Sequence, residues 1–136
     1  MKDWFVQSLG ALFLWGLWSF IPKISIRYID PKTAFIFEIL GAFFVAFYVL
    51  VSIDFNLSFS LLGIALSIIT GIVGSIGVIF FLNAISKGPV SLVTVISSLY
   101  PAITLVLAFV FLNESVSLKQ LVGIALGVFA IALIVS

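Results

Sequence analysis

Four stretches of this sequence, Trp4 to Pro22, Phe55 to Ser86, Gly88 to Asn113 and Gln120 to Ser136, contain no Asp, Glu, Lys or Arg. A helix that crosses a bilayer needs about 20 mostly apolar residues, so each stretch is long enough, or nearly so, for one crossing. A fifth segment, Thr33 to Ile53, carries a single charge, Glu38. Only 8% of the residues are charged and the mean hydropathy is +1.45, whereas soluble domains carry about 25% charged residues. These features predict an all-α, multi-pass protein of the cell membrane, with the lipid bilayer as its main solvent.

The same composition excludes several functions. A net charge of +1 gives no basic patch for nucleic acid. Zero Cys and zero His remove disulfides, thiolate chemistry and the usual zinc ligands. No metal cluster, cofactor loop or nucleophile–base pair is visible, so an enzyme reading has nothing to stand on. The first apolar run follows Lys2 as a signal peptide would, but it contains Trp4, Trp15 and Trp18 and has no small-x-small cleavage site before Pro22.

The turns divide the chain into five spans at about 4–28, 32–53, 59–86, 90–112 and 118–135. Pro31 suits a first helical turn, where its missing N–H would be unpaired anyway. "DFNLS" (54–58), "SKGPVS" (86–91) and "NESVSLK" (113–119) are polar or Gly/Pro turns. Connections this short make neighbouring helices antiparallel, in one five-helix unit with its termini on opposite faces. Lys2 and Lys119 fall on one side. Lys32 and Lys87 fall on the other, joined by Lys23 and Arg27 if these lie outside the bilayer. If those two belong to the helix end the sides tie, and the rule that places Lys and Arg in the cytoplasm gives little instruction.

Three stretches taken together resemble the EamA-type repeat of the drug/metabolite transporter superfamily. They are "WGLWSFIPK" (15–23), "FLNAISKGPVSLV" (81–93) and "LYPAITLVLAFVFLNESVSLKQLVGIALGVFAIAL" (99–133). In the last, Pro101, Glu114, Gln120, Gly123 and Gly127 match the family's closing pattern in type and spacing. The resemblance covers essentially the whole chain and implies a transporter of a small molecule. Most members carry two such repeats, the second inverted, and this chain carries one. The resemblance therefore implies a half-transporter completed by a second copy, as an antiparallel homodimer of dual topology working by alternating access, with the site near the midplane where inverted repeats meet. A different class of function fits the same facts: a non-transporting membrane subunit, or one half of a heteromeric lipid flippase.

Pro101 lies near the middle of the fourth span, where it removes the hydrogen bond to the Ser97 carbonyl and kinks the helix. Thr94, Ser98, Pro101 and Leu105 share one face of a continuous helix there. That face reads as a bent, polar cavity wall, or as a kink healed by serine hydroxyls. On the first span Ser8, Trp15, Ser19 and Lys23 share a face. Trp15 can stack on a flat or cationic ligand or pack between helices. Lys23 can bind an anion, pair with Glu38, or snorkel to the interface. Gly71, Gly74 and Gly77, and the Gly123 and Gly127 of "GIALG", suit close helix packing. Glu114 and Gln120 sit at membrane edges, where capping and turn fixation account for them.

Glu38 is the feature that needs most explanation. It lies five residues past Thr33, roughly 7 Å along the helix axis, inside the apolar zone. Its helical neighbours Ala34, Gly41 and Ala42 are small, which favours a helix contact or a cavity over lipid. It is expected either to pair with Lys23 or Arg27, or to face the pathway and take a cationic substrate or a proton.

Overall fold

The structure is a computed structural model described for residues 3–135; Lys2, counted in the charge balance above, lies outside them. Among the described residues there are six helices and no strand. They are α1 (Asp3–Ser25), α2 (Pro31–Ser52), α3 (Leu61–Lys87), α4 (Val90–Ser97), α5 (Tyr100–Leu112) and α6 (Leu118–Val135). Asp3–Ser25, Pro31–Ser52, Leu61–Lys87 and the stretch Val90–Leu112 are long and apolar enough to cross a membrane, and Leu118–Ile134 is a shorter apolar helix. The chain divides into two compact units, Met1–Lys87 and Gly88–Ser136.

In the first unit α3 packs on both α1 and α2. The α1–α2 connection shows how the sequence ends one helix and starts the next. Pro22 cannot donate to the Trp18 carbonyl, and beyond Ser25 the chain tightens through the bonds Arg27 N–H to Ile24 O (3.1 Å) and Tyr28 N–H to Ser25 O (2.9 Å). Asp30, with extended backbone, caps α2 and accepts from the amides of Lys32 (3.0 Å) and Thr33 (3.1 Å). The Thr33 hydroxyl also donates to its carboxylate. Pro31 follows at the first helical position, as its missing N–H predicts. The Thr33 hydroxyl, and then the Thr33 and Lys32 amides, hold the Asp30 carboxyl below its ordinary range.

Burial is concentrated at one end of this unit. Ser19 and Pro22 of α1, Ala34 of α2, and Phe81, Leu82 and Ile85 of α3 are buried. They come from the C-terminal end of α1, the N-terminal end of α2 and the C-terminal end of α3. Toward the other end the large side chains are exposed, from Phe43 to Tyr48 on α2 and from Leu61 to Val73 on α3. A Cβ built at Gly71, Gly74 or Gly77 meets nothing within 4 Å, so these glycines bring no helices together inside the unit.

In the second unit the expected fourth span is interrupted rather than merely kinked. The helix stops at Ser97 and restarts at Tyr100. Ser98 and Leu99 have ψ of −1° and −9°, well away from the helical value of about −42°. The cause is Pro101, which has no N–H for the Ser97 carbonyl and crowds it. Tighter bonds replace the regular ladder, from Leu99 N–H to Ile96 O (3.2 Å) and Ala102 N–H to Leu99 O (2.9 Å). The single face expected to hold Thr94, Ser98, Pro101 and Leu105 is thereby divided between α4, the break and α5. The last turn of α5 closes on Asn113, whose φ of 52° is left-handed, a conformation asparagine tolerates better than most residues. Ser117 and Gln120 then form a reciprocal cap on α6. The Ser117 amide donates to Gln120 Oε1 (2.8 Å), and the Gln120 amide donates to Ser117 Oγ (3.3 Å). Packing in this unit joins α4 to α6, and Gly123 and Gly127 have open space where a Cβ would stand.

Two outcomes follow from these local causes. Pro101→Ala restores a donor for the Ser97 carbonyl, so amide exchange across residues 98–102 should slow as α4 and α5 merge; unchanged exchange would show that something other than the proline breaks the helix. Asp30 supports α2 in its charged form and its proton affinity is lowered by folding. Its contribution is therefore present above the ordinary carboxylate range and lost as pH falls through its depressed value. Exchange protection of the Lys32 and Thr33 amides should follow that course, and Asp30→Ala should remove it at every pH.

Candidate functional site

The packed end of the first unit gathers most of the polar chemistry of its helices. Glu38 stands eight residues beyond the cap residue Asp30, about 12 Å along α2, and is half-buried. Its Oε2 is buried and has no hydrogen-bond partner among the described residues. From α1 the side chain of Trp18 lies near it. The Trp18 ring in turn stacks on Phe81 of α3, with centroids 5.4 Å apart and planes at 25°. That stack ties α1 to α3 beside the carboxylate.

Lys23 does different work from the pairing expected with Glu38. Its ammonium donates to the carbonyl of Ile85. Ile85 is two residues from the end of α3, so its carbonyl is one of the last four, which have no partner inside the helix. A cation is favoured there because the C-terminal end of a helix carries partial negative charge. Lys23 therefore fastens the end of α1 to the end of α3. Arg27 lies past the end of α1 and is exposed. No ion pair joins Glu38 to either cation among the described residues. Ser19 is buried but turns its hydroxyl back to the Gly16 carbonyl at 2.9 Å. Trp15 is 60% exposed.

Trp18 was not among the residues singled out from the sequence. A donor-only side chain is a natural partner for a lone carboxylate, but spacing alone does not choose among Trp4, Trp15 and Trp18. What distinguishes Trp18 is its stack on Phe81, four residues before Ile85.

Thr94, Ser98 and Pro101 belong to the second unit. The Ser98 hydroxyl donates to the Val95 carbonyl at 2.7 Å, so a serine does satisfy a backbone group at the break. Thr94 is half-buried, and its carbonyl accepts the Ser98 amide at 2.9 Å. Pro101 and Leu105 line a groove of about 390 Å³ with Tyr100, Thr104, Glu114 and Gln120. Glu114 thus joins a lining that sequence reasoning had placed at the membrane edge. Thr94 and Ser98 are not in that lining. Among the described residues no group of three His, Cys, Asp or Glu side chains could hold a metal ion.

The sequence profile of the EamA-like transporter family matches residues 4–136. An uncharacterized protein of Methanocaldococcus jannaschii is 38% identical over 68 residues, half of this chain and half of that relative. The chain therefore spans about half the length of the curated relative it matches. No solved structure matches it. The match from the first helix to the last, on a set of long apolar helices, places the chain as a member of the EamA-like transporter family, an integral membrane protein of the drug/metabolite transporter superfamily.

Proposed function

We propose that this protein is a secondary transporter of a small molecule in the cell membrane, working by alternating access as an antiparallel homodimer of five-span half-transporters. The observation that carries this reading is Glu38. A membrane-embedded carboxylate with an unpartnered oxygen is costly as a purely structural device and marks a pathway by default. The cations that would have made it structural are engaged elsewhere or outside the helices. Glu38 with Trp18 contributes a wall of the pathway.

A second copy is the proposed source of the opposing repeat. In inverted-repeat transporters the site lies where two repeats meet, and one repeat supplies half of it. The open glycine faces of α3 and α6 suit close approach of a second copy, since lipid gives helices no hydrophobic reason to associate and small residues let backbones touch.

Glu38→Gln keeps shape and removes charge. A hydrogen bond to a charged group contributes about 1.5–3 kcal/mol, so solute flux in proteoliposomes should fall about ten- to a hundredfold while expression and dimerisation hold. Flux equal to the unmodified protein would return Glu38 to a structural role. Adding two lysines to one end should fix one orientation, and flux should then require a copy biased the other way. Full flux from a uniformly oriented population would eliminate the antiparallel dimer.

A further inference from the structure

The way the helices of the first unit pack segregates its charges. The ends that meet at the buried cluster are the C-terminal ends of α1 and α3 and the N-terminal end of α2. They and the turn between α1 and α2 carry Lys23, Arg27, Lys32 and Lys87 against a single carboxylate, Asp30. The other end of the unit carries Asp3 and Asp54 and no cation among the described residues. Asp30 does little to neutralise its neighbours, because its carboxylate is taken by the Lys32 and Thr33 amides and the Thr33 hydroxyl. Lys23 is held at the Ile85 carbonyl. Arg27, Lys32 and Lys87 are exposed and form no ion pair among the described residues. Toward the bilayer interior from each of these three lies exposed apolar surface. Ile24 accepts the Arg27 amide at its carbonyl, Ile36 stands one turn past Lys32, and Phe80 stands two turns before Lys87; all three side chains are exposed. Residues four or seven apart share a helix face, so Lys32 is aligned with Ile36 and Lys87 with Phe80. Tyr28, 82% exposed beside Arg27, adds an amphipathic ring of the kind that favours the level of lipid headgroups.

We propose that the packed end of the first unit is a docking surface for anionic phospholipid, with headgroup phosphates at Arg27, Lys32 and Lys87 and acyl chains along Ile24, Ile36 and Phe80. A soluble anion would use the cations alone. An anionic lipid uses both features, since its phosphate and its chains are joined in the order in which the charged and apolar side chains follow one another along each helix. A Lys or Arg near an anionic membrane surface strengthens attachment about fivefold, and the guanidinium of Arg27 offers a planar fork of donors to a phosphate. Phosphates at this end also reduce the repulsion among four cations that the packing of α1, α2 and α3 brings to one end, so bound lipid stabilises the packed arrangement itself. In an antiparallel pair each packed end meets the headgroups of its own leaflet. The inference therefore concerns the lipid around the protein and stands apart from the transported solute.

The test is quenching of Trp18 emission by brominated lipid. Trp18 lies seven residues before the end of α1, about 10 Å along the axis, at the depth of the upper acyl chain. The full chain carrying Trp4→Phe and Trp15→Phe, which retains Trp18, is placed in vesicles of phosphatidylcholine and phosphatidylglycerol. The bromine is put on an equal number of one lipid or the other. Phosphatidylglycerol should quench severalfold more strongly per brominated chain, and 1 M salt, which shortens the screening length to about 3 Å, should weaken that preference. Adding Arg27→Gln, Lys32→Gln and Lys87→Gln together should bring the two lipids to parity, with each single change giving part of the loss. Arg27→Lys, Lys32→Arg and Lys87→Arg keep the charge and should keep the preference, which separates lost charge from lost folding. Asp54→Asn, at the other end of the unit, should leave it unchanged. Equal quenching by the two lipids in the parent chain would overturn the proposal, as would a preference that survives the triple Gln variant or is lost in the charge-keeping one. Inorganic phosphate that abolishes the preference at constant ionic strength would show a site for a soluble anion and overturn the lipid assignment.

Discussion

Lipid offers a backbone nothing to bond with, so each carbonyl and amide that leaves the helical ladder must find a partner within the protein. The details of this chain follow from that constraint. The Ile85 carbonyl, orphaned near the end of α3, takes the Lys23 ammonium. The amides opening α2 take Asp30. The amides opening α6 are tied up by Ser117 and Gln120. At the break made by Pro101, the Ser98 hydroxyl satisfies Val95 and short-range bonds engage the Thr94, Ile96 and Leu99 carbonyls. Serines and threonines along α3 turn inward to the same end: Ser67 bonds the Gly63 carbonyl and Thr70 the Leu66 carbonyl, each at 2.9 Å. Polar side chains that look like pathway residues in a sequence are, in several cases, servicing the backbone.

Against that background Glu38 stands out because its oxygen serves no backbone group. The packed end of the first unit surrounds it with a stacked Trp18 and Phe81 and a lysine already committed to α3. Spending Lys23 on the helix end leaves the carboxylate without its nearest cation on α1. The fastening of α1 to α3 and the chemical openness of Glu38 are thus two consequences of one hydrogen bond.

Much of the architecture was legible in the sequence, because charge-free runs and Gly/Pro turns report directly on lipid and on backbone geometry. The start of α2 at Pro31 and the disturbance at Pro101 have local causes. The extent of the Pro101 break was not legible, since a proline specifies a lost bond but not whether the chain heals it within one helix or starts another. Lys23 was read as an anion site, a partner for Glu38 or a snorkelling cation. The competing attraction, a helix terminus contributed by residues sixty positions away, has no local signature. Trp18 was missed for the same reason: its role depends on Phe81 as well as on Glu38. That the Ser19 hydroxyl turns back to the Gly16 carbonyl depended on the folded backbone.

The distribution of burial bears on what completes the fold. The first unit is knit together at one end, where α1, α2 and α3 contribute every one of its buried side chains, and is open along the rest of α2 and α3. In water such surface would collapse, but in lipid an exposed Phe or Ile is at no disadvantage, so apolarity cannot decide what covers it. The hydroxyls of Ser67 and Thr70 are already satisfied within α3, so they do not demand a partner either. What remains to discriminate lipid from protein is closeness of approach, and the bare faces at Gly71, Gly74 and Gly77 let another helix come nearer than lipid chains, which pack loosely, can usefully exploit. The proposed second copy therefore gains from dispersion at the glycines what it cannot gain from hydrophobicity. It would do so along α3, the helix whose far end carries Phe81 stacked on Trp18.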